Sequence, residues 1–227
     1  MSVLRPRRPR LAAAGALLLA ATIALVASGA VTFVDQFAVT HLMPWLVPRQ
    51  HGVVTAHSIT LPKLHGPTGE VLLGLWTYPA AFVPSLVIVA LCAWRLGRTD
   101  GFVLCALWLA GNLAEGLGKW TITRPDLFKN HVHAVAFDNS LPSGHTIRSL
   151  VIAAGLTLAF RIGPTAYLWA AGVLVTLVVS AAHTPTDVLA GIFVGVALAG
   201  WAPAGFAYPG WGRTHMGGER GTGGHAP

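Results

Sequence analysis

Charge is what this sequence has least of. Only 10% of its 227 residues are charged, eight of them acidic, where a soluble domain carries about 25% charged residues. With 54% hydrophobic residues and a mean hydropathy of +0.62, that shortage excludes an ordinary soluble domain. Cysteine is nearly missing too. Cys92 and Cys105 both fall inside apolar runs, which leaves no disulfide framework or cysteine metal pair and gives both a packing role. The net charge of +7 does not point to nucleic acid. No basic face or stacking platform accompanies it, and the positive residues stand at the ends of apolar runs.

Long apolar runs are what the chain has instead. Six are visible, over residues 11–34, 71–96, 101–118, 145–160, 165–182 and 185–206. Each is near the ~20 residues a helix needs to cross hydrocarbon, the fourth being the shortest. The expected fold class is therefore all-α, an integral membrane bundle of six transmembrane helices over residues 11–206. A basic arm, residues 1–10, precedes it, and a glycine-rich tail, 207–227, follows and is expected to be disordered. Arg5, Arg7, Arg8 and Arg10 before an apolar run also describe a secretion signal, with Ser28-Gly29-Ala30 as its cleavage site. The run exceeds the roughly 7–15 residues of a signal core, so a retained first span is expected. Residues 35–70 are mixed in character, and the weakly amphipathic part near Phe37 is expected along the interface.

Arginine and lysine orient the bundle. The arm, the turn over residues 95–100, Arg161 and the tail hold nine of the fifteen, all on one side of a six-helix topology. The positive-inside rule makes that side cytoplasmic, with both termini there, in a cell membrane. Three polar clusters then share the outer face. They are Lys119-Trp-Thr-Ile-Thr-Arg124-Pro125, Leu141-Pro-Ser-Gly-His145 and His183-Thr-Pro-Thr-Asp187. Ionisable groups are too costly beside lipid to be scattered without purpose.

Ser143 is placed as a helix N-cap, so the amides of Gly144 and His145 are unpaired donors at a positive dipole end, a setting that binds phosphate. Gly144 lets a ligand approach the backbone. A capped helix with an incidental histidine explains the same residues. Thr184-Pro-Thr-Asp187 matches a capping box with proline at the first helical position. Asp187 either holds the Thr184 amide or orients the His183 ring as nucleophile or base. Lys119 and Arg124 receive an anion or meet lipid headgroups. Arg148 lies one turn below His145 and needs an anionic partner, and Glu115 stands one turn below Lys119.

Two other chemistries use these residues. His131, His133, His145, His183 and Asp187 offer zinc ligands, but no His-x-x-x-His pair lies on a helix. Ser143 with a histidine describes an intramembrane serine protease, but a serine beside a proline at a helix start lacks a buried dyad setting, and the basic residues go unexplained.

Together the clusters resemble the signature of the phosphatidic acid phosphatase type 2 family of membrane phosphatases. Pro142-Ser143-Gly144-His145 matches its second motif, and His183 with Asp187-Val188-Leu189-Ala190-Gly191 matches the end of its third. The resemblance covers Lys119 to Gly191. It implies that His183 attacks phosphorus and becomes a phosphohistidine, that Asp187 orients it, and that His145 protonates the leaving group. It also implies that Lys119, Arg124, Ser143 and Gly144 hold the phosphate oxygens, without a metal or other cofactor. The chain departs from the pattern in two places. Asp126 stands where the first motif has an arginine, and Leu177, preceded by Thr176, where the third has another. Arg148 is expected to supply a substitute cation. The function implied is removal of phosphate from a lipid phosphomonoester or polyprenyl (pyro)phosphate at the outer face. A catalytically weak relative that binds or moves phospholipid is the alternative.

Overall fold

The computed structural model describes residues 8–43 and 74–202. The first seven residues of the basic arm, positions 44–70 of the mixed segment and the whole glycine-rich tail lie outside the described residues. Among the described residues the fold is all-α apart from one short hairpin. Helix α1 is Pro9–Ala27, and α2, Thr32–Phe37, runs on into a π-helical turn, Ala38–Leu42. A 3₁₀ turn, Tyr78–Ala80, leads into α3, Phe82–Leu96, and α4 is Arg98–Thr121. The hairpin pairs β1, Phe128–Lys129, with β2, Val132–His133. Then come α5, Gly144–Phe160, α6, Gly163–Val179, and α7, Pro185–Ala199.

The apolar runs do become helices, with different limits. The first helix stops at Ala27, and Gly29 at φ 77° turns the chain before α2. The polar turn expected over residues 95–100 shrinks to Gly97, whose φ of 81° suits glycine, so α4 extends beyond both ends of its apolar run. By length and composition α1 and α4 are able to cross a membrane. A third crossing results if Gly74–Ala80 and α3, bent by 58°, count as one. Helices α5, α6 and α7 have 17, 17 and 15 residues, short of the ~20 a perpendicular span needs. Six full crossings therefore do not follow from helix length among the described residues.

Apolar side chains face outward, as expected where the surroundings are lipid. Leu17, Val83, Leu91, Trp94, Leu113 and Leu168 are all exposed. Between helices, small residues allow close approach. A Cβ on Gly15 would stand 2.3 Å from the Ala197 nitrogen, and one on Gly200 2.5 Å from Ala12 Cβ. These contacts run α1 antiparallel to α7, and Arg8 N–H donates to the Gly200 carbonyl at 2.9 Å. Gly191 meets Thr146 in the same way, locking the start of α5 to the middle of α7.

Bundle direction decides where the clusters fall. At one end Arg95 Nε donates to the Ala159 carbonyl at 2.8 Å, and its guanidinium lies over the Phe160 ring. At the other end Arg148 Nε donates to the Ala80 carbonyl at 2.7 Å. The segment after α1 closes this second end with one side, while Phe33, Phe37 and Leu42 stay exposed on the other. Ala38, Val39 and Met43 are buried against Leu127 and Phe137, and Lys129 Nζ donates to the carbonyls of Val39, Thr40 and Met43.

Candidate active site

All three polar clusters meet at the Arg148 end. Ser143 caps α5: its Oγ accepts from the Thr146 amide at 3.3 Å, while its own N–H donates to the Asp187 carbonyl at 3.0 Å. The second cluster is thereby tied to the third. By helix geometry the amides of Gly144 and His145 have no partner within α5. Thr184 and Asp187 form the expected capping box, with Thr184 N–H donating to Asp187 Oδ2 at 2.9 Å.

The two histidines face each other across this junction. The His145 and His183 rings have centroids 6.3 Å apart, tilted by 55°. His183 is only 8% exposed. Its Nδ1 lies 3.6 Å from Asp187 Oδ2, beyond hydrogen-bond length, and has no hydrogen-bond partner among the described residues. Both roles weighed for Asp187 are thus partly present, the cap complete and the histidine contact long.

Asp187 is fully buried and heavily engaged. Its Oδ2 also accepts from Ser140 Oγ at 2.6 Å, and its Oδ1 from Arg124 Nη1 at 3.0 Å. Arg124 is buried with it. The guanidinium pairs with Asp35 through Nη2 and also donates to Thr184 Oγ1 at 3.0 Å. Arg124, expected among the phosphate-holding cations, therefore sits behind Asp187 between two carboxylates. Asp35 in turn accepts from the Thr186 amide at 3.1 Å and hydroxyl at 2.6 Å. Burial raises the Asp35 carboxyl above the usual carboxylate range, while Arg124 and Thr186 pull it back. Sequence reading missed Asp35 and Ser140. A signal existed for Asp35, because an isolated acid directly after an apolar run is costly unless partnered.

Lys119 and Arg148 share one carboxylate. Lys119 Nζ lies 2.6 Å from Glu115 Oε1, and Arg148 Nη1 2.6 Å from Glu115 Oε2. Arg148 Nη1 also donates to Asn112 Oδ1 at 2.8 Å. With Nε on Ala80, only Nη2 of Arg148 is uncommitted among the described residues. Leu177, where an arginine is expected, is buried, and its carbonyl accepts from the amides of Ala182 and His183 at 3.0 Å each.

The histidines weighed as zinc ligands do not gather at one point. His133 pairs with Asp138 at 3.0 Å and Asp126 at 3.4 Å in the hairpin loop, apart from the His145–His183 pair. Asp126, the other substitution for an arginine, is 62% exposed there.

Comparison with known proteins bears on this arrangement. No curated protein matches the chain. Among solved structures, the transmembrane PAP2-type phosphatidylglycerolphosphate phosphatase from Bacillus subtilis superposes with a TM-score of 0.57 at 20% identity, over 82% of this chain and 91% of that one. At that identity the likeness establishes the fold alone. The PAP2 superfamily model matches residues 13–211, which takes in all three clusters and the described helices except the first turn of α1, and the chain belongs to the PAP2 superfamily.

Proposed function

We propose that this protein is an integral membrane lipid-phosphate phosphatase that works through a phosphohistidine on His183. The observation that carries the reading is the His145–His183 pair, 6.3 Å between ring centroids, beside a buried Asp187. That separation leaves room for a phosphoryl group between a nucleophile and a proton donor. Because His183 Nδ1 faces Asp187, the ring attacks through Nε2, and the bond to phosphorus forms as the bond to the leaving oxygen breaks. His145 supplies the proton to that oxygen and then takes one from the water that hydrolyses the phosphohistidine. The 3.6 Å contact to Asp187 tightens as the imidazole gains charge, since catalytic hydrogen bonds are often long before substrate binds.

Phosphoryl transfer asks for charge neutralisation and in-line positioning. Lys119, Nη2 of Arg148, and the amides of Gly144 and His145 serve the phosphate oxygens directly. Ser143 holds the helix start in place. Arg124 acts through Asp187, which it fixes against Asp35. No step requires a metal.

The substrate is a lipid phosphomonoester or a polyprenyl (pyro)phosphate, whose tail stays in the bilayer while its phosphate enters the bundle end. We place that end at the outer face of the cell membrane, with six crossings and both termini cytoplasmic. Arg95 and Arg161 at the opposite end support this through the positive-inside rule. Helices of 15 to 17 residues suffice if the bilayer thins or flanking residues snorkel.

A second reading has one observation behind it. The family's two clamp arginines are absent at Asp126 and Leu177, and each missing donor costs roughly 10²–10³ in rate. Such a chain binds or moves lipid phosphates with little turnover. Phosphate release by purified protein on a panel of lipid phosphates separates the cases. Release by wild type, lost in His183→Ala, supports the enzyme. Equal release by both removes it, and no release by either favours binding.

A further inference from the structure

Glu115 lies where an anionic ligand belongs. Its carboxylate bridges Lys119 Nζ and Arg148 Nη1 at 2.6 Å each. It also presses on the start of α5, where a Cβ added to Gly144 would fall 1.8 Å from Oε2 and 2.1 Å from Oε1. The space left by the missing side chain of Gly144 is thus filled by an internal carboxylate. A helix start, an ammonium and a guanidinium form an anion cradle, and the chain supplies its own anion to it. An i,i+4 pair between Glu115 and Lys119 alone would not need the carboxylate at Gly144 or on a buried arginine from another helix.

We propose that Glu115 is a specificity-determining residue, an internal stand-in for phosphate that an incoming anion must displace from Lys119, Arg148 and Gly144. The inference rests on the phosphate site described above and deepens it. A group bearing two negative charges gains enough from two cations and a helix start to expel one carboxylate, and a singly charged group does not. The site therefore selects phosphomonoesters and terminal pyrophosphates, and rejects phosphodiesters such as those of bulk phospholipids that surround it. When displaced, Glu115 stays on α4 beside the cradle, ready to return as inorganic phosphate leaves.

The test is anion affinity, measured by isothermal titration on detergent-solubilised protein without turnover. Tungstate and perrhenate are tetrahedral oxyanions of nearly equal size carrying two charges and one. Wild type binds tungstate and shows no measurable perrhenate affinity. Glu115→Gln, which keeps the shape and an acceptor for Arg148, binds tungstate about tenfold tighter or more and acquires measurable perrhenate binding. Glu115→Asp keeps the charge but draws the carboxylate away from Gly144, and tightens tungstate binding by a smaller factor. It serves also if the glutamine variant does not fold. Unchanged or weaker tungstate affinity in the folded variants overturns the proposal, since that is what a carboxylate that merely organises Lys119 and Arg148 produces. Phosphate release by wild type and His183→Ala, measured on the same preparations, keeps the two readings apart. Turnover without tightening sinks the stand-in alone, and tightening without turnover sinks the enzyme alone.

Discussion

Arg124 Nη1 stands 3.0 Å from Asp187 Oδ1, with both side chains out of reach of solvent. The pair joins the loop after α4 to the start of α7, 63 residues further along the chain. It also brings in Asp35, so that one guanidinium separates two buried carboxylates. Taking out the cation leaves both carboxylates desolvated and facing each other. Arg124→Ala is expected to cost about 3–5 kcal/mol of stability, the usual result of breaking a buried pair from one side. Thermal melting in detergent checks this, and Asp35→Asn in the same background should recover part of the loss.

Lys119 and Arg148 are expected to behave differently from Arg124. Arg148→Ala removes the donor to Glu115, Asn112 and Ala80 together, and with it the Nη2 available to the ligand. Turnover should fall by about 10²–10³, the scale of a lost oxyanion donor. Lys119→Met should show a comparable loss in kcat/KM with a smaller effect on melting, because Lys119 is 38% exposed. Steady-state kinetics beside melting curves separates the two patterns. Intact turnover in Arg148→Ala would exclude it from the phosphate site.

His145 donates a proton to the leaving group in this scheme, so its loss should depend on what leaves. His145→Ala should slow release from an alkyl lipid phosphate by about 10²–10⁴. In the phosphohistidine-forming step, read as the burst of released alcohol, an aryl phosphate whose alcohol leaves without a proton should be slowed far less. Equal loss of that burst rate on both substrates would assign His145 to binding instead.

Helix contact supports the site from below. A Cβ on Gly191 would meet Thr146 Cβ at 2.8 Å and the Ser143 carbonyl at 2.9 Å, against backbone that has nowhere to go. Gly191→Val is expected to cost about 1–3 kcal/mol through overpacking and to disturb the Ser143–Asp187 bond with it. A melting temperature equal to wild type would show that α5 and α7 are free to part.

Much of this was legible in the sequence wherever a local rule applied. The cap at Ser143 comes from a serine leading straight into an apolar run, the capping box from Thr184 to Asp187 from residue types three apart, and both are present. The helices came from apolar runs, and their ends shifted where a single glycine, Gly29 or Gly97, does the turning. What could not be read was pairing across distance. Nothing near Asp35 names Arg124, 89 residues away, as its partner. Nothing near Arg124 says that it faces Asp187 rather than a ligand. Glu115 was legible as a partner for Lys119, one helical turn away, but its seat against Gly144 depends on how α4 crosses α5. Local chemistry writes itself into spacing, while the choice among distant partners is made by packing.

The central claim is that His183 carries the phosphoryl group. The direct measurement is trapping with an alkaline denaturing quench on purified protein mixed with lipid phosphate labelled in its phosphorus, followed by acid treatment of one portion. Wild type should retain acid-labile, base-stable label, and His183→Ala should retain none. Label of equal amount in both, or label that survives acid, would contradict the phosphohistidine and the site built around it.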